Sequence, residues 1–161
     1  MATKPVPDGY HTVTPYLILD DATSALDFYK RAFGATELHR YDAPGGKIGH
    51  AEIRVGDSVI MMADAYPDMG YRSPKSYGGT PVSIMLYVEN VDALFKCAVD
   101  AGAKVQRPVE NQFYGDRTAT IEDPFGHVWT IATHVEDLTH EEIMRRAETA
   151  TKAAAEKGKS S

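Results

Sequence analysis

Two side chains able to exchange protons at neutral pH, His50 and Glu52, stand on alternate positions of the stretch KIGHAEIRV, residues Lys47 to Val55. That stretch alternates cleanly. Ala51, Ile53 and Val55 point to one face of a strand, and His50, Glu52 and Arg54 to the other. If the polar face lines a cleft, Glu52 can act as a general base with His50 as acid, or the pair can orient a ligand. If it faces bulk water, the same pattern is a solvated strand surface. Tyr114, Asp116 and Arg117 form a second polar group just ahead of a hairpin. The Arg117 fork suits a carboxylate or phosphate at a cleft mouth, and a surface pair with Asp116 is the competing reading. Three other histidines read as structural or peripheral. His127 sits in a turn, His134 either reaches the cleft rim or caps a final helix, and His11 lies beside an irregular arm.

These groups need strands and helices to hold them. Asp116 to His134 reads as two strands joined by Asp123-Pro124-Phe125-Gly126, where Pro presets one dihedral and Gly accepts a positive φ. Val13 to Leu19 reads as a strand. Asp20 or Asp21 then caps the helix ATSALDFYKRAF, which Gly34 ends. Thr36 to Tyr41, Lys47 to Val55 and Ser58 to Ala63 follow as strands. After residues 64–80, rich in Gly and Pro, the pattern repeats. There is a strand at Pro81 to Val88, a helix VDALFKCAVDA capped by Asn90, a strand at Lys104 to Arg107, a loop from Pro108 to Gly115, and the hairpin. The helix ends Gly34-Ala35 and Gly102-Ala103 lie 68 residues apart. The chain is thus two copies of a βαβββ unit, which predicts an α+β fold. The domain spans 10–137, with modules at about 12–64 and 81–135 and a linker at 65–80. Thr139-His140-Glu141-Glu142 is a capping-box signature opening a helix to about Ala155, so 138–161 is a C-terminal helix and tail.

Two four-stranded sheets can meet side by side as an open, eight-stranded cleft with the helices on the convex face. Alternation then assigns Thr14, Tyr16, His50, Glu52, Ser83, Met85, Tyr87 and Thr130 to the cleft, and Trp129 to the core. Met61, Met85 and Tyr87 offer an adaptable apolar wall. Tyr66, Met69, Tyr71 and Tyr77 make the 64–80 segment either a lid or a linker reaching a second subunit.

At 161 residues, 43% hydrophobic and 25% charged, the composition is that of an ordinary globular chain. A net charge of −6 with no basic stripe argues against nucleic acid. The single cysteine, Cys97, excludes an intrachain disulfide framework, and its place on a helix reads as core. No apolar run approaches membrane length, and MATKPVPDGYH lacks a signal-peptide core, so the expectation is a cytoplasmic protein with no membrane partner.

The paired units, the LDFYKRAFGA helix end, YVENVDAL and the EDPFGHVW hairpin together resemble the vicinal oxygen chelate superfamily. That group holds glyoxalase I, bleomycin-resistance proteins, fosfomycin-resistance enzymes and extradiol dioxygenases. GKIGHAEIRVGDSVIMMAD and FYGDRTATIEDPFGHVWTIATHVEDL resemble its PhnB-like branch. The resemblance implies a homodimer and a cleft for a small molecule. It also implies four metal-ligand positions, on the first and last strands of each unit. Here these fall on Thr14, Met61 (or Ile60), Ser83 and Thr130, none of them His, Asp, Glu or Cys. Hydroxyls and a thioether suit Zn, Ni, Fe or Mn poorly. The expectation is a protein binding a hydrophobic or aromatic small molecule without a conventional metal centre or other cofactor. The alternative is a glyoxalase-type lyase or dioxygenase whose divalent ion is displaced onto His50 and Glu52.

Overall fold

The backbone of a computed structural model, which describes residues 3–158, realises the duplication as two four-stranded sheets. The first module runs β1 (Tyr16–Leu19), α1 (Ala22–Phe33), β2 (Thr36–Ala43), β3 (Lys47–Val55) and β4 (Ser58–Asp64), in sheet order β1-β4-β3-β2. The second runs β5 (Ser83–Tyr87), α2 (Val91–Asp100), β6 (Lys104–Asn111), β7 (Asp116–Glu122) and β8 (Val128–His134), in order β5-β8-β7-β6. In each, the first strand pairs in parallel with the last and the other pairings are antiparallel. A helix α3 (His140–Gly158) follows, a little longer than its apolar pattern implies.

Helix α1 starts where the Asp21 carboxylate accepts from the Ser24 N–H, and it ends at Gly34 in the left-handed conformation. Asn90 caps α2 in the same way through the Ala93 N–H. The modules share a further device. Asp64, the last residue of β4, accepts from the Ala22 N–H at 2.9 Å, and Thr133, its counterpart on β8, accepts from the Val91 N–H at 2.9 Å. Each module thus ties its last strand to the otherwise unsatisfied first turn of its helix.

The helices lie on one side of the sheets and pack on each other. Helix α1 buries more than the expected stripe, because Phe28 is enclosed along with Tyr29 and Phe33. Phe28 meets Phe125 of the second module at 6.3 Å, and Tyr29 meets Trp129 at 5.5 Å. One apolar cluster therefore runs from Leu17, Ile53 and Met62 through α1 to Ile121, Phe125 and Trp129. Between the modules sits the Asp123 carboxylate, 3% exposed. It accepts from Tyr29 Oη at 2.7 Å, Trp129 Nε1 at 2.9 Å, and the Phe125 and His127 N–H groups at 3.0 Å each. Burial first, and then the adjacent Asp123 carboxylate, hold the Tyr29 phenol well above its ordinary pKa. His127, in the turn as expected, donates from Nε2 to the Ile18 carbonyl on the free edge of β1.

Three expectations need correction. Strand β1 begins at Tyr16, not Val13, since Pro15 has no N–H to give and Thr14 turns its hydroxyl back onto the His11 carbonyl. Strand β6 continues through Pro108 to Asn111. It is the outer strand of its sheet and shifts register between Arg107 and Glu110, where a proline is tolerated. Cys97 is exposed rather than core, because the buried arc of α2 carries Val91 and Ala98 instead. Residues 1–2 of the expected arm and 159–161 of the expected tail lie outside the described residues.

Candidate functional site

Strand register sets Tyr16, Met61, Glu52 and His39 side by side across the open face of the first sheet. The sheet is not regular there. Tyr41 opposes His50 but Asp42 opposes Ile48, so Gly49 is an extra residue in β3. This bulge turns Ile48 into the core and leaves Gly49 and His50 toward the open face. The Asp64 carboxylate fixes the kink by accepting from the Ile48 N–H at 2.6 Å.

A chain of hydrogen bonds runs over this face. Glu52, 7% exposed, places Oε1 3.0 Å from His50 Nε2, and its Oε2 accepts from the Tyr10 hydroxyl. His50 Nδ1 lies 2.9 Å from Tyr16 Oη. A carboxylate only accepts, so His50 Nε2 carries the proton and Nδ1 is left to accept from Tyr16. Burial raises the Glu52 pKa, but the bonds from His50 and Tyr10 outweigh it and hold the carboxyl below its usual range. Burial lifts the Tyr16 phenol above its ordinary value, with the charges of Tyr41 and Tyr71 adding to it. Tyr10 belongs to the N-terminal arm, whose Pro5, Val6 and Pro7 close a hollow of about 490 Å³ over Glu52 and Met61.

Beside this chain lies an aromatic hollow of about 540 Å³, walled by Tyr16, Tyr41, Tyr66, Met69 and Tyr71. The Tyr41 and His50 rings stack at 5.8 Å, and the Tyr16 ring lies tilted 5.5 Å from that of His50. The Tyr41 ring lies where a side chain on Gly49 would be, since a Cβ there would sit 2.6 Å from its Cε2. The 64–80 segment supplies the outer wall, held by paired backbone bonds between Tyr66 and Tyr71. Lys47 Nζ stands 5.3 Å from the centre of the Tyr66 ring. Tyr77 turns into a neighbouring hollow of about 780 Å³, which Tyr16 and Ile18 also border and into which Arg72 faces.

The second module carries different chemistry at the equivalent places. Met85, Thr130 and Thr120 lie in one row, with Ser83 Oγ 3.3 Å and Thr120 Oγ1 3.4 Å from Thr130 Oγ1. Tyr87 donates to Asp116 Oδ2 at 2.8 Å, and His134 bridges Asp116 Oδ1 at 2.8 Å and Asp137 at 2.9 Å. Arg117 is not free to meet a ligand, nor does it pair with Asp116. Its guanidinium grips Asp92 of α2 at 2.8 and 2.7 Å and reaches Asn111 at 3.0 Å. Tyr114 packs edge-on against Phe113 at 5.2 Å, away from the first-module network. Of the sequence candidates, then, Tyr16, His50, Glu52 and Met61 come together, with Thr14 lining the arm hollow beside Glu52 and Met61, Ser83, Met85 and Thr130 form a second group, Tyr87 pairs with Asp116, and Tyr114 and Arg117 join neither group. Sequence reasoning missed Tyr10, His39 and Tyr41. An interior strand glycine, here Gly49, is the signal that marks such a bulge.

The four positions that would hold a metal do not fit one. Thr14 precedes β1 and spends its hydroxyl on the His11 carbonyl, Met61 offers a thioether, and Ser83 and Thr130 contact each other. Ile60, the other register, is buried in the core. Neutral hydroxyls and a sulfur, with no imidazole or anionic ligand, make a poor divalent site. Among the described residues no cluster of three or more His, Cys, Asp or Glu side chains could hold an ion. None of the described helices is long and apolar enough to cross a membrane.

Residues 10–131 match the family model described as the Glyoxalase/Bleomycin resistance protein/Dioxygenase superfamily. An uncharacterized protein of Mycobacterium bovis is 46% identical over 134 residues, covering 81% of this chain and 88% of its own. Among solved structures, TioX from Micromonospora sp. ML1 superposes with a TM-score of 0.63 at 28% identity, over 78% of this chain and 99% of its own. Protein PA1353 from Pseudomonas aeruginosa gives 0.63 at 25% identity, over 78% and 99%.

Proposed function

The chain belongs to the glyoxalase/bleomycin resistance protein/dioxygenase superfamily, and within it we propose a binding protein for a small hydrophobic or aromatic molecule, seated on the open face of the first module without a conventional metal centre. The observation that carries this reading is the hollow walled by four tyrosines and Met69, beside family metal positions that hold only hydroxyls and a thioether. Tyrosine faces take a planar ligand by offset stacking, and the thioether adapts to its outline. The displaced-metal reading is disfavoured by the bonds already made. Both Glu52 oxygens and both His50 nitrogens are engaged with each other or with Tyr10 and Tyr16. Assignment to the PhnB-like branch, a cytoplasmic location and a homodimer complete the proposal. The exposed apolar side chains Met85 and Tyr87, on the open face of the second module, suit contact with a second copy.

Titration with 1-naphthol, followed by the ring resonances of labelled tyrosines, tests the site. Shifts at Tyr16, Tyr41 and Tyr71 are expected, and shifts confined to Tyr87 and Tyr114 would overturn the placement. Protein purified without chelator is expected to hold well under one equivalent of divalent metal. A full equivalent that Glu52→Ala loses would favour the enzyme alternative.

A further inference from the structure

We propose that Tyr16, His50 and Glu52 form a metal-free proton relay, through which a weakly acidic ligand, a phenol or an enol, gives up its proton on binding. The proposal rests on the first-module hollow being the ligand site, and it adds a chemistry to that site. Tyr16 is half exposed and borders both the 540 Å³ and the 780 Å³ hollows, so a ligand in either can reach its hydroxyl. Behind it the order is fixed, with Tyr16 Oη at 2.9 Å from His50 Nδ1 and His50 Nε2 at 3.0 Å from a carboxylate that is 7% exposed.

The step balances without an added reactant. The ligand's O–H bond breaks and its proton passes to Tyr16 Oη, while the Tyr16 O–H bond breaks and that proton passes to His50 Nδ1. Tyr16 ends neutral, His50 is an imidazolium, Glu52 stays a carboxylate beside it, and the ligand is an anion. Tyr16 serves as conduit rather than base, because burial disfavours its phenolate. The carboxylate orients the imidazole and stabilises its charged form, as in other residue triads where a buried acid backs a histidine. The anion has a counter-charge at hand. Arg72 faces the hollow that Tyr16 borders, and it makes no hydrogen bond or ion pair among the described residues. The titratable and charged groups around the relay are Tyr41 stacked on His50, His39 opposite Glu52, Tyr10 and Arg54 at its arm side, and Tyr71 from the linker.

The test uses the full chain and 3-nitrophenol, at a pH one unit below that phenol's own pKa and above the ordinary imidazole value of about 6.5, so that an acceptor nitrogen is free, reading the phenolate absorbance per bound probe. About a tenth of the free probe is ionised there, and more than half of the bound probe is expected to be. His50→Gln and Tyr16→Phe should each return the bound probe to the neutral form. A bound probe that stays neutral with the unaltered chain overturns the relay and leaves the binding site standing. Ionisation that persists in both variants overturns it as well, assigning the effect to Arg72. Failure to bind any aromatic probe overturns the site itself. A ligand-free measurement decides the relay even then. The ¹⁵N shifts of His50 should show the Nε2–H tautomer, with Nδ1 bare and accepting, at neutral pH. A ring protonated on Nδ1 there overturns the proposal.

Discussion

Replacing Tyr29 by phenylalanine removes a single hydroxyl from the junction of the two modules and nothing else. The ring is fully buried, and Phe keeps its volume, so no cavity term arises. What is lost is the 2.7 Å bond to Asp123 Oδ2, one of four that hold a carboxylate 3% exposed. A hydrogen bond to a charged group is worth about 1.5–3 kcal/mol. The Trp129 indole still reaches the same oxygen, which places the cost near the middle, about 2 kcal/mol. For a chain of this length that corresponds to a fall in Tm of about 4–8 °C. Asp123→Ala strands a phenol, an indole N–H and two backbone N–H groups in the interior and should cost more than about 4 kcal/mol. Urea unfolding of both variants and of the double variant provides the assay. In the Asp123→Ala background the Tyr29→Phe change should cost close to nothing, giving a coupling of about 2 kcal/mol. A Tyr29→Phe cost below about 0.5 kcal/mol, or strict additivity in the double variant, would refute the view that this carboxylate holds the modules together.

Three further changes probe the site and its frame. Gly49→Val puts a side chain where the Tyr41 ring lies and should weaken naphthol binding by close to tenfold, the loss of about one aromatic contact; unchanged affinity in the same titration would separate Tyr41 from the ligand. Gly115→Ala meets both a φ of +96° and the Glu136 carbonyl oxygen 2.3 Å from the new Cβ, so thermal melting should show a loss of about 2–4 kcal/mol. The His134 pKa is raised, by Asp116 first and Asp137 second. The charged bridge therefore contributes fully below the unfolded pKa of about 6.5 and is lost as pH rises through the higher folded value. Protection of the Val135 and Glu136 amides, taken relative to the intrinsic base-catalysed exchange rate, should fall over that window, and Asp116→Asn should move the change to lower pH. Protection that falls on acidification instead would reverse the assignment.

The duplicated plan was legible because each module repeats local signals that act within a few residues. Asp21 and Asn90 cap, Gly34 ends a helix, and Ala51, Ile53 and Val55 alternate in β3. The faces of His50, Glu52 and Trp129 followed from that alternation. Less legible was anything set by distant partners. Phe28 falls outside the apolar stripe of α1, and Phe125 of the second module helps to cover it. Arg117 looks free on its own strand, but a helix brings Asp92 to it. Tyr10 sits in an irregular arm with no period to place it, and its contact with Glu52 comes from folding that arm back across 42 positions of chain. The bulge at Gly49 shifts Ile48 to the opposite face from the one strict alternation assigns.

The continuous apolar cluster has a consequence for how the molecule can be divided. Nicking the backbone at Gly78-Gly79 would leave an N-terminal fragment whose α1 has lost Phe125 and Trp129. The C-terminal fragment would keep the small cluster of Val91, Ala119 and Ile131 intact, but its Ile121, Phe125 and Trp129 would lose the α1 face that covers them. Neither piece is a miniature of the whole. Internal symmetry here is a property of the backbone, while cooperativity belongs to the pair, and the halves should regain order by complementing one another rather than by folding apart.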